Sequence, residues 1–191
     1  MSDETRLVAP QVAAAYDFSQ FHTLVDVGGG AGLQLATVLR AFPQLEGTLF
    51  ELPHVAAVAQ KALSGEAVAD RCQVVAGDFF ATVPSGADAY LLKRVLHDWS
   101  DEDAIRILRS CRQAMGPTSK LLVVEIIIGF GNQLFPYGER LDLLMQVLFG
   151  SQERTLAEYE GLFSQAGHCL SATVPTAGAH GIVEAIPIDT P

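Results

Sequence analysis

The sequence predicts an α/β domain built on a mostly parallel sheet of seven strands, the last strand reversed and antiparallel, with helices on both faces. Three observations predict it. Short β-rich apolar runs alternate with stretches whose apolar residues recur every three or four positions, the pattern of a parallel sheet covered on both sides. The first run ends in Asp26-Val27-Gly28-Gly29-Gly30-Ala31-Gly32, where closely spaced glycines meet the start of a helical pattern. The last two runs are joined by too few residues for a crossover, so they must form a hairpin.

In order, strands are expected at residues 23–27, 47–51, 73–76, 89–92 and 120–127, with helices at 33–41, 55–63 and 102–115 between them. Helices at 140–148 and 156–166 follow, and strands at 170–174 and 181–185 close the chain. A length of 191 residues, 49% of them hydrophobic, is enough for one well-buried core and a single domain. The net charge of −10 and the lack of a basic run argue against nucleic acid or an anionic membrane as a partner. Cys72, Cys111 and Cys169 form no C-x-x-C pair and read as small apolar residues in a reducing compartment. The opening Met1-Ser2-Asp3-Glu4 lacks the regions of a signal peptide. The longest apolar stretch, residues 121–128, is interrupted by Glu125 and is too short to span a bilayer, so a cytoplasmic protein is expected.

Ligands of an open parallel sheet sit outside the carboxyl ends of its strands, so the residues that end each strand carry the functional reading. The glycine turn lets the backbone approach a ligand and presents N–H groups of a helix start. Its spacing is G-x-G-x-G rather than the G-x-G-x-x-G of a nicotinamide dinucleotide site, and Asp26 would repel a pyrophosphate but suits a cationic ligand. Glu51, followed by Leu52, ends the second strand as an acceptor for both hydroxyls of a ribose, or as a solvated strand end. After the third strand, Asp78 could accept from an adenine amino group with Phe79 on the ring face, or form a simple turn. Lys93, at the fourth, lines the ligand or faces solvent. Standing in order after the glycine turn, these residues favour a nucleoside-binding site.

The segment Val95-Leu96-His97-Asp98-Trp99-Ser100-Asp101 follows the fourth strand directly. His97 is either a packed structural residue or a base one short loop from the ligand. Glu125 lies inside Leu-Leu-Val-Val-Glu-Ile-Ile-Ile, where a carboxylate is costly to bury unless paired. It is either partly wet at the strand exit or hydrogen-bonded to the His97 ring, fixing its tautomer. Glu153 is a further candidate, or an acidic residue welcomed just before a helix.

Residues 26–32, 50–55, 77–80 and 92–101, with Glu125 and Glu153-Arg154-Thr155, together resemble the class I S-adenosylmethionine-dependent O-methyltransferases, the plant-type and bacterial small-molecule enzymes. The resemblance covers roughly residues 12–187. It implies a Rossmann-like fold, S-adenosylmethionine as cofactor, and no metal. By that resemblance His97 is the general base, and Glu125 and Glu153 flank and orient it. Asp26, Gly28, Gly30, Glu51, Leu52, Asp78, Phe79 and Lys93 bind the cofactor. Asp98, Trp99 and Met145 touch the acceptor, a phenolic or polyketide-like hydroxylated aromatic molecule. Residues 1–20 resemble the linker helix that follows an N-terminal dimerisation domain in longer relatives. Residues 21–191 are then expected as the catalytic domain with that N-terminal domain absent, and a homodimer or a partner supplying the domain is the expected assembly. A second class stays open: a cofactor-binding remnant without turnover that serves as a binding module. A nicotinamide-dependent oxidoreductase is disfavoured by Asp26 and by the glycine spacing.

Overall fold

The sheet is buried on both faces because alternate residues of its central strands are apolar in both directions. In the computed structural model, which describes residues 2–130 and 153–188, the strands are β1 (Thr23–Val27), β2 (Glu46–Glu51), β3 (Cys72–Ala76), β4 (Ala89–Lys93), β5 (Lys120–Ile128), β6 (Arg154–Thr155), β7 (His168–Pro175) and β8 (His180–Pro187). The helices are α1 (Ser2–Ala15), α2 (Leu33–Ala41), α3 (Pro53–Leu63), α4 (Asp101–Ala114) and α5 (Leu156–Gln165). Tyr90, Leu92, Leu121 and Val123 pack with α4 and α5 on one face. Leu24, Leu91, Leu122 and Val124 pack with α1, α2 and α3 on the other.

The strand order is β3-β2-β1-β4-β5-β8-β7. Neighbours from β3 to β5 are parallel, and β8 runs antiparallel between β5 and β7. All seven expected strands are present. The two-residue β6, which pairs parallel with the end of β5 (Ile127 opposite Arg154), is an addition that periodicity could not signal, because two residues carry no period. The hairpin strands run longer than expected, as the ladder continues through residues that alternation alone did not mark. The expected helix at 140–148 lies outside the described residues.

Local chemistry sets the helix ends. Pro53 opens α3 in its first turn, where the missing N–H costs nothing. Ser100 caps α4 ahead of Asp101, Glu102 and Asp103, whose charges suit the positive end of the helix. Thr155 and Glu158 form a reciprocal capping box on α5. Residues 2–15 form a helix that packs on α2, with Val8, Val12 and Tyr16 buried in the same core as Leu35 and Leu39. Among the described residues no helix is long and apolar enough to cross a membrane.

Candidate active site

The parallel ladder runs one step past the strand ends, and this sets the register of the loops that follow. Gly28 N–H donates to the Phe50 carbonyl (2.8 Å), Gly77 N–H to Glu51 (2.9 Å) and Arg94 N–H to Val124 (3.0 Å). The predicted site residues of β1 to β5 therefore emerge at one edge of the sheet. A cleft of about 270 Å³ lies at the opposite, amino ends of β1 to β3, lined by Thr23, Glu46 and Cys72, and contains none of them.

In the glycine turn Gly28, Gly30 and Gly32 have φ of 70°, 60° and 82°, the region that side chains rarely adopt. Gly29 is needed for another reason: a Cβ there would stand 2.4 Å from both Asp26 Oδ2 and Leu49 Cδ1. Asp26 thus sits beneath the turn with no exposed surface, and the Leu35 N–H of α2 aids its charge. The carboxylate has no surface of its own to offer a ligand. Burial pushes its pKa up to about 7, with Lys93 opposing the rise.

Phe79 lies against Gly28 and, with Phe80 and Trp99, forms an edge-to-face aromatic cluster with ring separations of 4.8–6.0 Å. Trp99 therefore supports Phe79 and Phe80 from the side. Glu51 accepts from the Leu52 N–H (2.7 Å), and Asp78 accepts from the Phe80 N–H (2.8 Å), so each carboxylate is oriented by its own loop. Leu52 is exposed at the start of α3. Lys93 donates to Thr5 of α1 at 3.0 Å.

The second half of the site is a charged cluster. Glu125 has no exposed surface and is heavily bonded. Its Oε1 accepts from the N–H groups of Val95, Leu96 and His97 at 3.0, 3.0 and 3.4 Å. Its Oε2 stands 3.1 Å from His97 Nδ1 and 3.2 Å from Arg94 Nη1. Burial opposes the charge, but His97 and Arg94 overcome it and hold Glu125 below the usual carboxylate range. Glu125 is thus fully enclosed rather than partly wet, with Oε2 at ion-pair distance from the His97 ring. Glu153, brought in beside β6, joins through Arg94, whose Nη1 lies 2.6 Å from its Oε1. Burial raises the Glu153 pKa, and Arg94 counteracts it.

His97 is almost enclosed, and Nε2 lies 3.1 Å from Asp98 Oδ1. Burial disfavours the imidazolium, yet Asp98 and Glu125 outweigh it and lift the His97 pKa to about 9. The Asp98 side chain is 48% exposed, so it can turn away without opening the core.

Sequence reasoning passed over two residues. Arg94 is the one described non-glycine residue with positive φ (54°), and it bridges Glu125 and Glu153. Arg154 is fully buried beside the turn that carries His97. Each looks like a solvated surface charge in the sequence; the Glu-Arg-Thr segment was the one available signal. Met145 lies outside the described residues.

A glycine turn over a buried acid, acidic residues at the next two strand ends, and a histidine beside a buried carboxylate on the fourth loop thus stand together at the carboxyl ends of the strands. The chain belongs to the O-methyltransferase domain family, whose model matches residues 1–169. It is 48% identical over 184 residues to the phenazine O-methyltransferase PhzM of Lysobacter antibioticus, covering 96% of this chain and 54% of that protein. It is 49% identical over 180 residues to the mitomycin biosynthesis 6-O-methyltransferase of Streptomyces lavendulae, covering 92% and 50%. The crystal structure of NcsB1, from neocarzinostatin biosynthesis, in complex with S-adenosylmethionine and 2-hydroxy-5-methyl naphthoic acid, superposes with a TM-score of 0.85 at 39% identity, covering 93% and 52%. The chain thus spans about half the length of the curated relatives it matches.

Proposed function

We propose that this chain carries the catalytic half of an S-adenosylmethionine-dependent O-methyltransferase acting on a hydroxyl of a phenolic or polyketide-like aromatic small molecule, with His97 as general base. The observation that carries the reading is His97 held at Nδ1 by the buried Glu125, 3.1 Å away, at the same sheet edge as the glycine turn. The residues fit the cofactor: Asp26 places negative charge under the turn, Glu51 and Asp78 present carboxylates, and Phe79 offers a ring beside Gly28. When bound, S-adenosylmethionine supplies an electrophilic methyl group on a sulfonium.

The chain's own residues have to supply an oxygen nucleophile. A phenol with pKa ~10 is mostly protonated at neutral pH. With Nδ1 facing the Glu125 carboxylate at 3.1 Å, Nε2 of His97 is the nitrogen that takes the hydroxyl proton. Asp98 holds that nitrogen in this structure, so the acceptor hydroxyl displaces Asp98 before the proton moves. Asp98 then borders the acceptor, as do the edges of Trp99. Positioned bases contribute ~10²–10⁴-fold. The relatives' names, which include a phenazine, a mitomycin and a naphthoate enzyme, support an aromatic acceptor. A helical domain equivalent to the uncovered half of those relatives is proposed to complete the acceptor pocket and form a homodimer. The intact cluster of His97, Glu125, Glu153 and Arg94 speaks against a cofactor-binding remnant without turnover.

The test is His97→Gln, with turnover and calorimetric binding of S-adenosylmethionine measured side by side. Turnover is expected to fall ~10²–10⁴-fold with cofactor affinity unchanged. An equal loss of cofactor binding would make His97 structural.

A further inference from the structure

The turn that carries His97 is a short 3-10 segment, Leu96–Asp98, with two sets of backbone groups to satisfy. On its N–H side Glu125 Oε1 takes the donors of Val95, Leu96 and His97. On its carbonyl side a second buried charge does the matching work. Arg154 Nη1 donates to the Leu96 carbonyl (2.8 Å) and Nη2 to the Trp99 carbonyl (2.8 Å). The same guanidinium meets Asp101 Oδ1 of α4 through Nε at 2.9 Å and Nη2 at 2.8 Å. The backbone of Arg154 is pinned in turn by the pairing of β6 with β5, the strand that carries Glu125.

A fully buried arginine is a poor way to gain stability, because its desolvation offsets most of what its ion pair returns. It does one thing an apolar side chain cannot: its rigid fork fixes two carbonyls and a carboxylate at set angles to one another. We propose that Arg154 is a positioning residue for the transfer reaction, clamping the carbonyls of Leu96 and Trp99 on either side of His97 and so setting where Nε2 stands at the sheet edge. Glu125 and Arg154 form the two jaws of one clamp, a carboxylate on the donors and a guanidinium on the acceptors. Asp101, 61% exposed, anchors the second jaw to the first turn of α4. A displacement of about 1 Å at a reacting group costs ~10²-fold in rate, so small slack in this turn matters more to turnover than to folding.

This inference rests on the reading of His97 as the base, and the test separates the two. Arg154→Lys keeps a charge but loses the fork, and Asp101→Asn loosens the anchor from an exposed position. Each is made alone and in a His97→Gln background, with kcat, acceptor KM, calorimetric affinity for S-adenosylhomocysteine and the ¹⁵N titration of His97 measured. Arg154→Lys is expected to lower kcat by about 10–100-fold with cofactor affinity held within about twofold. Asp101→Asn should lower it by about threefold to tenfold. In the His97→Gln background neither change should cost anything further, because residues that act through one another are not additive. Should Arg154→Lys not fold, Asp101→Asn carries the same cycle. A folded Arg154→Lys with wild-type kcat, or a loss of kcat that persists undiminished without His97, would overturn the proposal. If His97→Gln retains turnover the base reading fails, and the His97 titration still decides the clamp: an unchanged ring signal in Arg154→Lys refutes it.

Discussion

Replacing Asp98 with asparagine isolates the charge that holds His97 protonated. In the structure Nε2 of His97 lies 3.1 Å from Asp98 Oδ1, and Asp98 with Glu125 lifts the His97 pKa from the ordinary 6.5 to about 9 against the burial that opposes it. With a pKa near 9, only about one ring in a hundred is unprotonated at pH 7. Asparagine keeps an oxygen in place and removes the charge. An opposite charge this close shifts a pKa by ~1–3 units, and the half-exposed Asp98 belongs at the low end of that range. The His97 midpoint should therefore fall by about one unit, which is roughly tenfold in the base form. The assay is the pH profile of kcat/KM, which reports the free enzyme, beside a ¹⁵N titration of His97 without acceptor. The acidic limb is expected to move down by about one unit, with acceptor KM reporting separately on contact between Asp98 and substrate. Stability follows the same linkage. His97 has a folded pKa above its unfolded one, so its contribution is full below 6.5 and is lost as pH rises through about 9. The gap in Tm between wild type and Asp98→Asn should accordingly close across that window. A limb and a titration that stay where they are, or move upward, refute the reasoning.

Gly29→Ala drives a Cβ into Asp26 and Leu49 and should destabilise the fold by about 1–3 kcal/mol while weakening S-adenosylmethionine; a wild-type urea midpoint would contradict the close approach. Asp26 has a folded pKa near 7, above its ordinary 3.8, so its contribution to stability is full at acid pH and is lost as pH rises through 7. Asp26→Asn should flatten that fall in cofactor-free chemical denaturation and reduce affinity for the cationic cofactor in calorimetry. An unchanged pH slope would place the titration elsewhere.

Much of the fold was legible in the sequence because its determinants are local or periodic. Apolar runs such as 89–92 and 120–127, a glycine turn that needs positive φ, and a hairpin too short to cross over each constrain the chain within a few residues. The same locality marks Glu51, Asp78, Lys93 and His97 as candidates, since ligands of an open parallel sheet sit outside its strand ends. Glu125 was suspect for a purely physical reason: a carboxylate in an apolar strand needs a partner.

What the sequence alone determined, then, is the succession of strands and helices along the chain, the strand ends where the candidate residues lie, and the residue types offered there. Only the tertiary structure decided who pairs with whom. Arg94 meets Glu125 and Glu153 across 31 and 59 residues, and Arg154 reaches Leu96 and Trp99 across 58 and 55. It likewise buried Asp26 beneath the turn and set Asp98 on Nε2 of His97. The reason is physical. A charge in a sequence is worth little until its desolvation and its partners are known, and both are properties of elements brought together by the sheet rather than of the segment that carries the charge.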